Sequence, residues 1–390
     1  MLSLLLVYVS THRLRHRNCS GLIEDRTHRF QAATDERLFF VLEERKAEIM
    51  SEGPKGTLER PIGIYYEHPD WFRPLFEQMD ARGVAWQRID ARTHKPSAGS
   101  NGTEYSLVFN RMSPSAWQRG LADRITYTTG YLSNLEENGV RVVNGSRGFQ
   151  HEISKALQLE LLRGLGLPFP KTRVIHRPEE ALAAGGEIGY PLVIKPNIGG
   201  SGAGIVRFSN PAELARAVEE GGLFFGIDAT ALVQEFFQAR DSAIIRVEVL
   251  GYKYLYAIQI YTTGETFNLC PADICQSSRG EELVRKACPI DAPKTGLKVE
   301  GYRPPQEVIE NVEHMMQTAG IEVGGVEYVI DDPTGRLLYY DINALSNFVA
   351  DPERIVGFNP YARLADYLIA QAQVHESRSA TRLAATGDGR

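Results

Sequence analysis

The sequence predicts a protein of mixed α/β and α+β class that is divided into successive domains. Three observations support this prediction. Strands alternate with helices from residue 61 to 145, which is typical of parallel βαβ units. A second strand-and-helix unit follows at 150–237 and surrounds a glycine-rich loop. An amphipathic helix and a β-hairpin then occupy 304–342.

The individual elements follow from apolar spacing and from turn residues. In the first domain we expect strands at 62–66, 84–89, 105–109 and 140–143, and helices at 71–82 and 117–137. In the second we expect helices at 150–164, 178–184 and 211–220, and strands at 172–175, 191–196 and 231–237. In the third, two strand runs at 241–261 precede a helix at 304–319, a hairpin of 323–330 and 337–342, and a helix at 361–373.

These elements define the expected domain boundaries. We expect 1–59 to be a poorly ordered extension, 60–147 an N-terminal α/β domain, 148–237 a central α+β subdomain, 238–375 a C-terminal α+β subdomain and 376–390 a disordered tail. Because Met50 stands just before a polar linker, we also expect translation to begin there. N-terminal mass analysis of the native protein can check this expectation.

Composition argues against several classes of function. The 390 residues are 43% hydrophobic and 24% charged, which suits a globular protein with a sizeable core. A net charge of -6 gives no general reason to expect nucleic-acid binding. No apolar run approaches the ~20 residues that a membrane span needs. The four cysteines form no CxxC pair and lack zinc spacing, so we expect reduced thiols in the cytoplasm.

The most informative stretch runs from Leu192 to Val206. An apolar strand ends in Lys195, and a loop with four glycines leads into a second strand. Glycines let backbone N–H groups approach a bound anion, and the lysine adds positive charge for phosphate oxygens. An ordinary flexible hairpin is the alternative, although an unpaired lysine within a buried apolar run would be costly.

A second group of polar residues lies on the C-terminal hairpin. Glu327 precedes the turn, and Asp341 and Asn343 follow it on one face of the second strand. Pairing across the turn brings Glu327 opposite Asp341, within one residue of register. Two carboxylates and an amide oxygen form a ligand set that suits Mg2+. A solvated acidic edge is the alternative, but apolar residues flank both acids.

These two features together resemble the ATP-grasp superfamily. Residues from about 61 to 372 look like a RimK-like carboxylate–amine ligase, in the group with ribosomal-protein glutamate ligase and the lysine-biosynthesis enzymes. In that family the glycine loop covers the triphosphate, and an acid on one strand faces an acid-x-Asn segment on the next. Glu327 and Asp341-Ile-Asn343 occupy those places, with Asp341 where glutamate is commoner. The resemblance implies the ATP-grasp fold, with ATP and Mg2+ (or Mn2+) as cofactors.

The resemblance also implies roles for further residues. Those implied to bind the nucleotide are Lys155, Lys195, Gly200, Ser201, Gly202, Glu235, Phe236, Asp241 and Asn268. Phe236 would pair with adenine through its backbone, Glu235 would bind the ribose or the adenine amino group, and Asp241 would bind the ribose. Arg246 would face the phosphates and, with Lys195, take part in catalysis.

Substrate-side residues are expected at two places. His68 and Arg111 lie at the ends of N-domain strands, where open α/β sheets bind ligands. Ser346 and Asn347 stand where the family often has a serine-proline segment. An arginine that is usual two residues before the family's asparagine is replaced by Thr266, so the family's substrate is not transferred to this chain.

The implied reaction joins a carboxylate to an amine through an acylphosphate. We expect small-molecule or peptide carboxylates and amines as substrates, no nucleic acid and no membrane, and we leave a homo-oligomer open. Two alternatives also stay open at this point. One is an ATP-grasp small-molecule kinase that phosphorylates a hydroxyl group. The other is a nucleotide-binding protein that has lost ligase activity.

Overall fold

The computed structural model describes residues 58–97, 99–200, 202–261 and 298–387, which all belong to one compact unit, Gly56–Arg390. The expectations for the N-terminal extension, for Ser201 and for Asn268 lie outside these residues. Within the described ranges, every helix is too short or too polar to cross a bilayer.

The N-terminal domain is a parallel sheet with helices between its strands. Its elements are β1 (Ile62–Tyr66), α1 (Arg73–Ala81), β2 (Trp86–Asp90), β3 (Leu107–Arg111), α2 (Ala122–Glu137) and β4 (Val142–Val143), with sheet order β2-β1-β3-β4. β1 and β3 are buried along their whole length, as strands covered on both faces must be. The predicted alternation of strands and helices is therefore confirmed.

One helix of this domain starts later than predicted. A 3-10 helix, Pro114–Arg119, occupies the first part of the span expected to be one helix at 117–137. Gly120 ends it with a left-handed φ of 75°, and the α-helix begins at Ala122. A glycine in the left-handed region is a frequent helix stop, so this residue divides the two elements.

The central subdomain places a small antiparallel sheet under two helices. Its elements are α3 (Ser146–Glu152), α4 (Lys155–Gly164), β5 (Thr172–Ile175), α5 (Ala181–Ile188), β6 (Leu192–Pro196), β7 (Val206–Phe208), α6 (Pro211–Glu219) and β8 (Ala231–Glu235), with sheet order β5-β8-β6-β7. Ile194 and Val233 share a core with Leu214 of α6 on one face. Because side chains alternate along a strand, Val193, Lys195 and Gln234 point to the opposite face.

The C-terminal subdomain is a five-stranded antiparallel sheet. Its elements are β9 (Ala243–Leu250), β10 (Lys253–Tyr261), β11 (Val299–Tyr302), α7 (Gln306–Ala319), β12 (Val323–Ile330), β13 (Leu337–Asn343), α8 (Pro352–Val356) and α9 (Pro360–Gly387), with sheet order β11-β10-β9-β12-β13. The predicted apolar stripe of α7 packs on one face, where Val312 and Met315 contact a core that includes Val247. The other face of β9, β12 and β13 carries the acidic residues.

The expectation of a disordered tail at 376–390 is wrong for residues up to Gly387, because α9 continues to that residue. Leu364, Leu368 and Ala372 of α9 are buried in a core shared with the N-terminal sheet. Beyond them, the Glu376 carboxylate accepts the backbone N–H of Arg60 at 3.0 Å. Packing against another domain, which periodicity does not report, thus extends the helix past its predicted end.

Asn144 joins the N-terminal domain to the C-terminal sheet. It lies at the end of β4 with a left-handed φ of 53°, a conformation that asparagine tolerates better than most residues. Its buried amide donates to the carbonyls of Val323 and Ala344 at 2.6 and 2.8 Å. It accepts from the N–H groups of Glu322 and Val323 at 2.9 and 3.0 Å. Four hydrogen bonds from one side chain therefore fix both ends of the acidic hairpin.

We predict that Asn144→Ala lowers the free energy of unfolding by about 3 kcal/mol, because it leaves buried backbone groups unpaired and puts alanine at a positive φ. Urea denaturation measures this change. The matched control is Asn134→Ala on the exposed face of α2, which should stay within about 0.5 kcal/mol of the parent protein. Equal stabilities for the two variants would contradict the role given to Asn144.

Candidate active site

A cleft lies between the open face of the central sheet and the acidic face of the C-terminal sheet. Its lining includes Lys155, Val193, Lys195, Gln234, Glu327, Tyr340, Asp341 and glycines of the loop between β6 and β7. Lys195 and Asp341 therefore face one shared cleft, as the predicted nucleotide site requires.

The glycine loop closes the cleft from the side of the central sheet. Gly200 and Gly202 both line it, and Gly202 has a left-handed φ of 70° that favours glycine. On its outer side, the loop contacts the N-terminal domain. A Cβ on Gly200 would lie 3.1 Å from the Cβ of Ser115, and Gln118 donates to the Gly200 carbonyl at 3.3 Å. Larger residues at position 200 would therefore displace the loop.

Two lysines enter the cleft from different elements. Lys195 belongs to β6, which is buried along its whole length, and is 6% exposed. Burial lowers the pKa of Lys195 to about 7, with the nearby charge of Lys155 acting in the same direction and Asp341 opposing it. Lys155 begins α4, whose start is capped by the Ser154 hydroxyl at 3.2 Å from the N–H of Leu157. A phosphate group between these lysines would find two donors.

Asp341 forms an ion pair with one of these lysines. The Lys155 ammonium donates to Asp341 Oδ1, and Asn343 donates to Asp341 Oδ2 at 3.2 Å. Burial alone would raise the pKa of Asp341, but the charge and hydrogen bond of Lys155 hold it below its usual value. The same contact raises the pKa of Lys155 against the effect of its own burial. Each partner of this pair therefore favours the charged form of the other.

Glu327 lies directly opposite Asp341 in the register of β12 and β13, so the predicted pairing across the hairpin is confirmed. It is 2% exposed, and burial raises its pKa. Arg246 Nη1 donates to Glu327 Oε1 at 2.6 Å, and the Tyr340 hydroxyl donates to Oε2 at 2.7 Å. The two acids thus stand side by side, each neutralised by a cation of the chain.

The described residues contain no group of three or more His, Cys, Asp or Glu side chains arranged to hold a metal. The candidate ligand set here is different in kind, since it combines the carboxylates of Glu327 and Asp341 with the amide oxygen of Asn343. These oxygen ligands fit Mg2+ or Mn2+, provided that Lys155 moves from Asp341 to a phosphate. The residues present are therefore suited to a divalent cation that arrives with a nucleotide.

Arg246 lies below the acids instead of lining the cleft. It is buried between Glu248 and Glu327, at 2.6 Å from each, and donates to the Ser346 hydroxyl at 2.9 Å. Ser346 donates in turn to Glu248. In this arrangement Arg246 orients Glu327, and the expected contact with phosphates would require it to leave this network. Ser346 likewise belongs to the buried network below the acids.

Arg111 binds the chain segment that follows the hairpin of β12 and β13. It is 3% exposed and donates to the carbonyls of Ala344 and Ser346, with Asn347 Oδ1 at 3.5 Å. Burial lowers the pKa of Arg111 to about 10. Arg111 and Asn347, which were expected on the substrate side, therefore form buried contacts between domains.

A buried carboxylate supports the same segment from the other side. Glu152, at the end of α3, accepts the backbone N–H of Ala344. Burial raises the pKa of Glu152 to about 7, and this backbone hydrogen bond partly opposes the rise.

His68, which was expected on the substrate side, lies outside the cleft lining and stacks on Trp71, with ring centroids 4.3 Å apart.

The residues expected to hold adenosine lie around the end of β8. Glu235 accepts from the N–H of Lys171 at 2.8 Å and from Arg336 at 3.2 Å. The N–H of Phe236 donates to the Pro191 carbonyl at 3.1 Å, so adenine pairing at Phe236 would have to use its carbonyl. Asp241 is exposed in a 3-10 turn before β9. The structure therefore modifies the expected contribution of Phe236.

Gln234 also lines the cleft, although it was not among the site residues predicted from the sequence. It is 1% exposed, and its Nε2 donates to the Thr172 hydroxyl at 2.9 Å. Its Oε1 is buried without a hydrogen-bond partner in the described part of the chain. Such an acceptor is costly unless a ligand donor reaches it, and the amino group of a nucleobase has that chemistry. The sequence could have pointed to this residue, because it is a polar glutamine within the otherwise apolar first part of β8.

Comparison with known proteins agrees with this geometry. The family described as D-Ala-D-Ala ligase C-terminus matches residues 161–272. A "Probable alpha-L-glutamate ligase" of Aliivibrio salmonicida is 28% identical over 215 residues, 51% of this chain and 66% of the relative. The protein of the same name from Vibrio atlanticus is 33% identical over 187 residues, 47% of this chain and 58% of the relative. The chain thus matches these relatives over less than two thirds of their length.

A solved structure extends the comparison across the domains. The ATP-grasp ligase PsnB, in complex with a minimal precursor, superposes with a TM-score of 0.56 at 21% sequence identity. The match covers 80% of this chain and 100% of the PsnB chain. Together with the glycine loop, two lysines and paired acids around one cleft, this similarity shows that the chain has the ATP-grasp fold.

Proposed function

We propose that this chain is an ATP- and Mg2+-dependent carboxylate–amine ligase that forms an amide bond through an acylphosphate. The observation that carries the proposal is the placement of Lys155 and Lys195 opposite Glu327 and Asp341 in one cleft. This arrangement suits a triphosphate, whose charge is met by the lysines, together with a cation held by the acids.

The proposed reaction has two steps. A carboxylate oxygen of the substrate attacks the γ-phosphorus of ATP, and ADP leaves. The amine nitrogen then attacks the acyl carbon, phosphate leaves, and the nitrogen loses a proton. The residues contribute positioning and charge neutralisation in both steps. The glycine loop, packed on the N-terminal domain, excludes water that would hydrolyse the acylphosphate.

The ion pairs of the cleft determine how the nucleotide and the cation would be bound. The Lys155 ammonium exchanges Asp341 for a phosphate oxygen, which leaves the Asp341 carboxylate open to a cation. Glu327 keeps its contact with Arg246 because that pair is buried below the cleft. Glu327, Asp341 and Asn343 would hold Mg2+, which neutralises phosphate charge when it is bound.

Substrate choice is proposed from the relatives. Two of them carry the description "Probable alpha-L-glutamate ligase", and PsnB was solved with a minimal precursor. The first screen therefore offers L-glutamate, other amino acids and short peptides, with ATP and Mg2+, and measures ADP release and product mass. A product whose mass equals that of the acid plus the amine less one water supports the ligase. A stably phosphorylated product would identify a kinase instead, and nucleotide binding without any product would identify an inactive relative.

We predict that Lys195→Met and Glu327→Gln each reduce the rate of ADP formation at least about 100-fold, because each removes a charge that acts on the transferring phosphoryl group. Steady-state assays with the substrate found in the screen measure this loss. The controls are two matched changes on the surface, namely Lys253→Met on β10 and Glu300→Gln on β11. Both should retain the parent rate. Full activity in either cleft variant would refute the assignment.

A second prediction concerns protons. The pKa of Lys195 is about 7 in the empty cleft, so at pH 8 only about a tenth of the protein carries this charge. A bound phosphate raises that pKa, so nucleotide binding takes up nearly one proton at pH 8. Affinity then falls as pH rises above about 7.

Calorimetry of nucleotide binding in buffers of different ionisation enthalpy measures this proton uptake. Lys195→Arg keeps the charge but does not titrate, so its proton uptake should be lower by close to one proton. Other titrating groups, such as Glu152 and the nucleotide itself, contribute to both proteins and cancel in the difference. Equal proton uptake by the two proteins would show that Lys195 is already charged in the empty site.

A further inference from the structure

The two acids of the cleft are held in different ways. Asp341 is paired with Lys155, which the nucleotide is expected to draw away. Glu327 has two donors that stay with the protein, namely Arg246 on Oε1 and the Tyr340 hydroxyl on Oε2. Each carboxylate oxygen has two lone pairs, so both donors can remain while a cation binds. Glu327 is therefore the acid whose orientation the chain fixes in advance.

Tyr340 reaches Glu327 because the hairpin contains a β-bulge. The pairing runs Tyr328 with Tyr339 and then Glu327 with Asp341, which leaves Tyr340 as an extra residue between the two pairs. Such a bulge lets consecutive residues turn toward one face of the sheet. Tyr340 and Asp341 both line the cleft, while Tyr339 packs into the core below the opposite face.

The ring of Tyr340 closes the cleft beside the strand that ends in Glu235. It packs against Phe237 at a centroid distance of 5.6 Å, within a small apolar cluster that also contains Ile244 and Val329. The side chain is 8% exposed. Its ring therefore lines the cleft beside the segment expected to hold adenosine, and its hydroxyl contacts Glu327.

We infer that Tyr340 is a positioning residue that couples nucleotide binding to cation binding. Its hydroxyl fixes the carboxylate plane of Glu327, and its ring forms the wall against which the nucleotide rests. Loss of the hydroxyl leaves Glu327 with one fixed oxygen and a carboxylate free to rotate. This inference rests on the proposed nucleotide and Mg2+ site.

The test compares ADP affinity with and without saturating Mg2+ by calorimetry. The ratio of the two affinities is the enhancement due to the metal. In Tyr340→Phe we expect metal-free ADP affinity within about twofold of the parent, and an enhancement at least about tenfold smaller, because a hydrogen bond to a charged group is lost. Direct Mn2+ titration followed by electron paramagnetic resonance should show the same loss.

Tyr339→Phe is the matched control, since it makes the same change one residue away on the opposite face of β13 and should alter neither quantity. Tyr340→Leu, which also shortens the ring wall, should weaken metal-free ADP binding as well. Should Tyr340→Phe fail to fold, Tyr340→Met provides a second variant without the donor. Urea unfolding establishes that each variant is native under the assay conditions.

The outcomes separate this inference from the proposed function. A parent protein whose ADP affinity does not respond to Mg2+ would overturn the proposed metal site itself. A parent protein that responds, together with a Tyr340→Phe variant that keeps the full enhancement, would overturn the role of Tyr340 alone. An equal loss in Tyr339→Phe would show that the effect is one of general packing, which also contradicts the inference.

Discussion

Two ion pairs, one in the cleft and one directly below it, are the constraint on which the rest of this structure depends. The pair of Lys155 with Asp341 is partly buried and the pair of Arg246 with Glu327 is buried, so the loss of one partner from either pair would be costly. The start of α4 must therefore lie against the C-terminal hairpin. Asn197 ties the same helix start to the end of β6, since its side-chain oxygen accepts the N–H of Ala156 at 2.9 Å. The first turn of α4 is thus held by contacts with both sheets that border the cleft.

The N-terminal domain sets the relative position of the two halves of the cleft. Asn144 fixes the ends of the acidic hairpin, and Arg111 fixes the segment after it. On the other side, Gln118 contacts the Gly200 carbonyl, and Trp117 packs on Phe224 with centroids 5.2 Å apart. One domain therefore contacts both the glycine loop and the segment after the acids.

Residues predicted from the sequence fall into two groups in the structure. Lys155, Lys195, Glu327 and Asp341 meet in the cleft, because each stands at the end of an element or on a hairpin whose register the sequence specifies. Arg246 is buried in a polar network behind it. Its position on the strand was predictable, but whether its guanidinium would point to a ligand or to neighbouring acids was not, since Glu327 and Ser346 lie far from Arg246 in the chain.

The sequence by itself determined the fold class, the glycine loop with its lysine, and the pairing of Glu327 with Asp341 across the hairpin. These are local features, fixed by periodicity of two or 3.6 residues and by turn chemistry. The tertiary structure alone decided the rest. It extended α9 by packing it on the N-terminal sheet, and it assigned Arg111 to an interdomain contact. It also turned Tyr340 toward Glu327 through a bulge. Each of these outcomes depends on contacts between residues far apart in the chain, for which a local pattern carries no information.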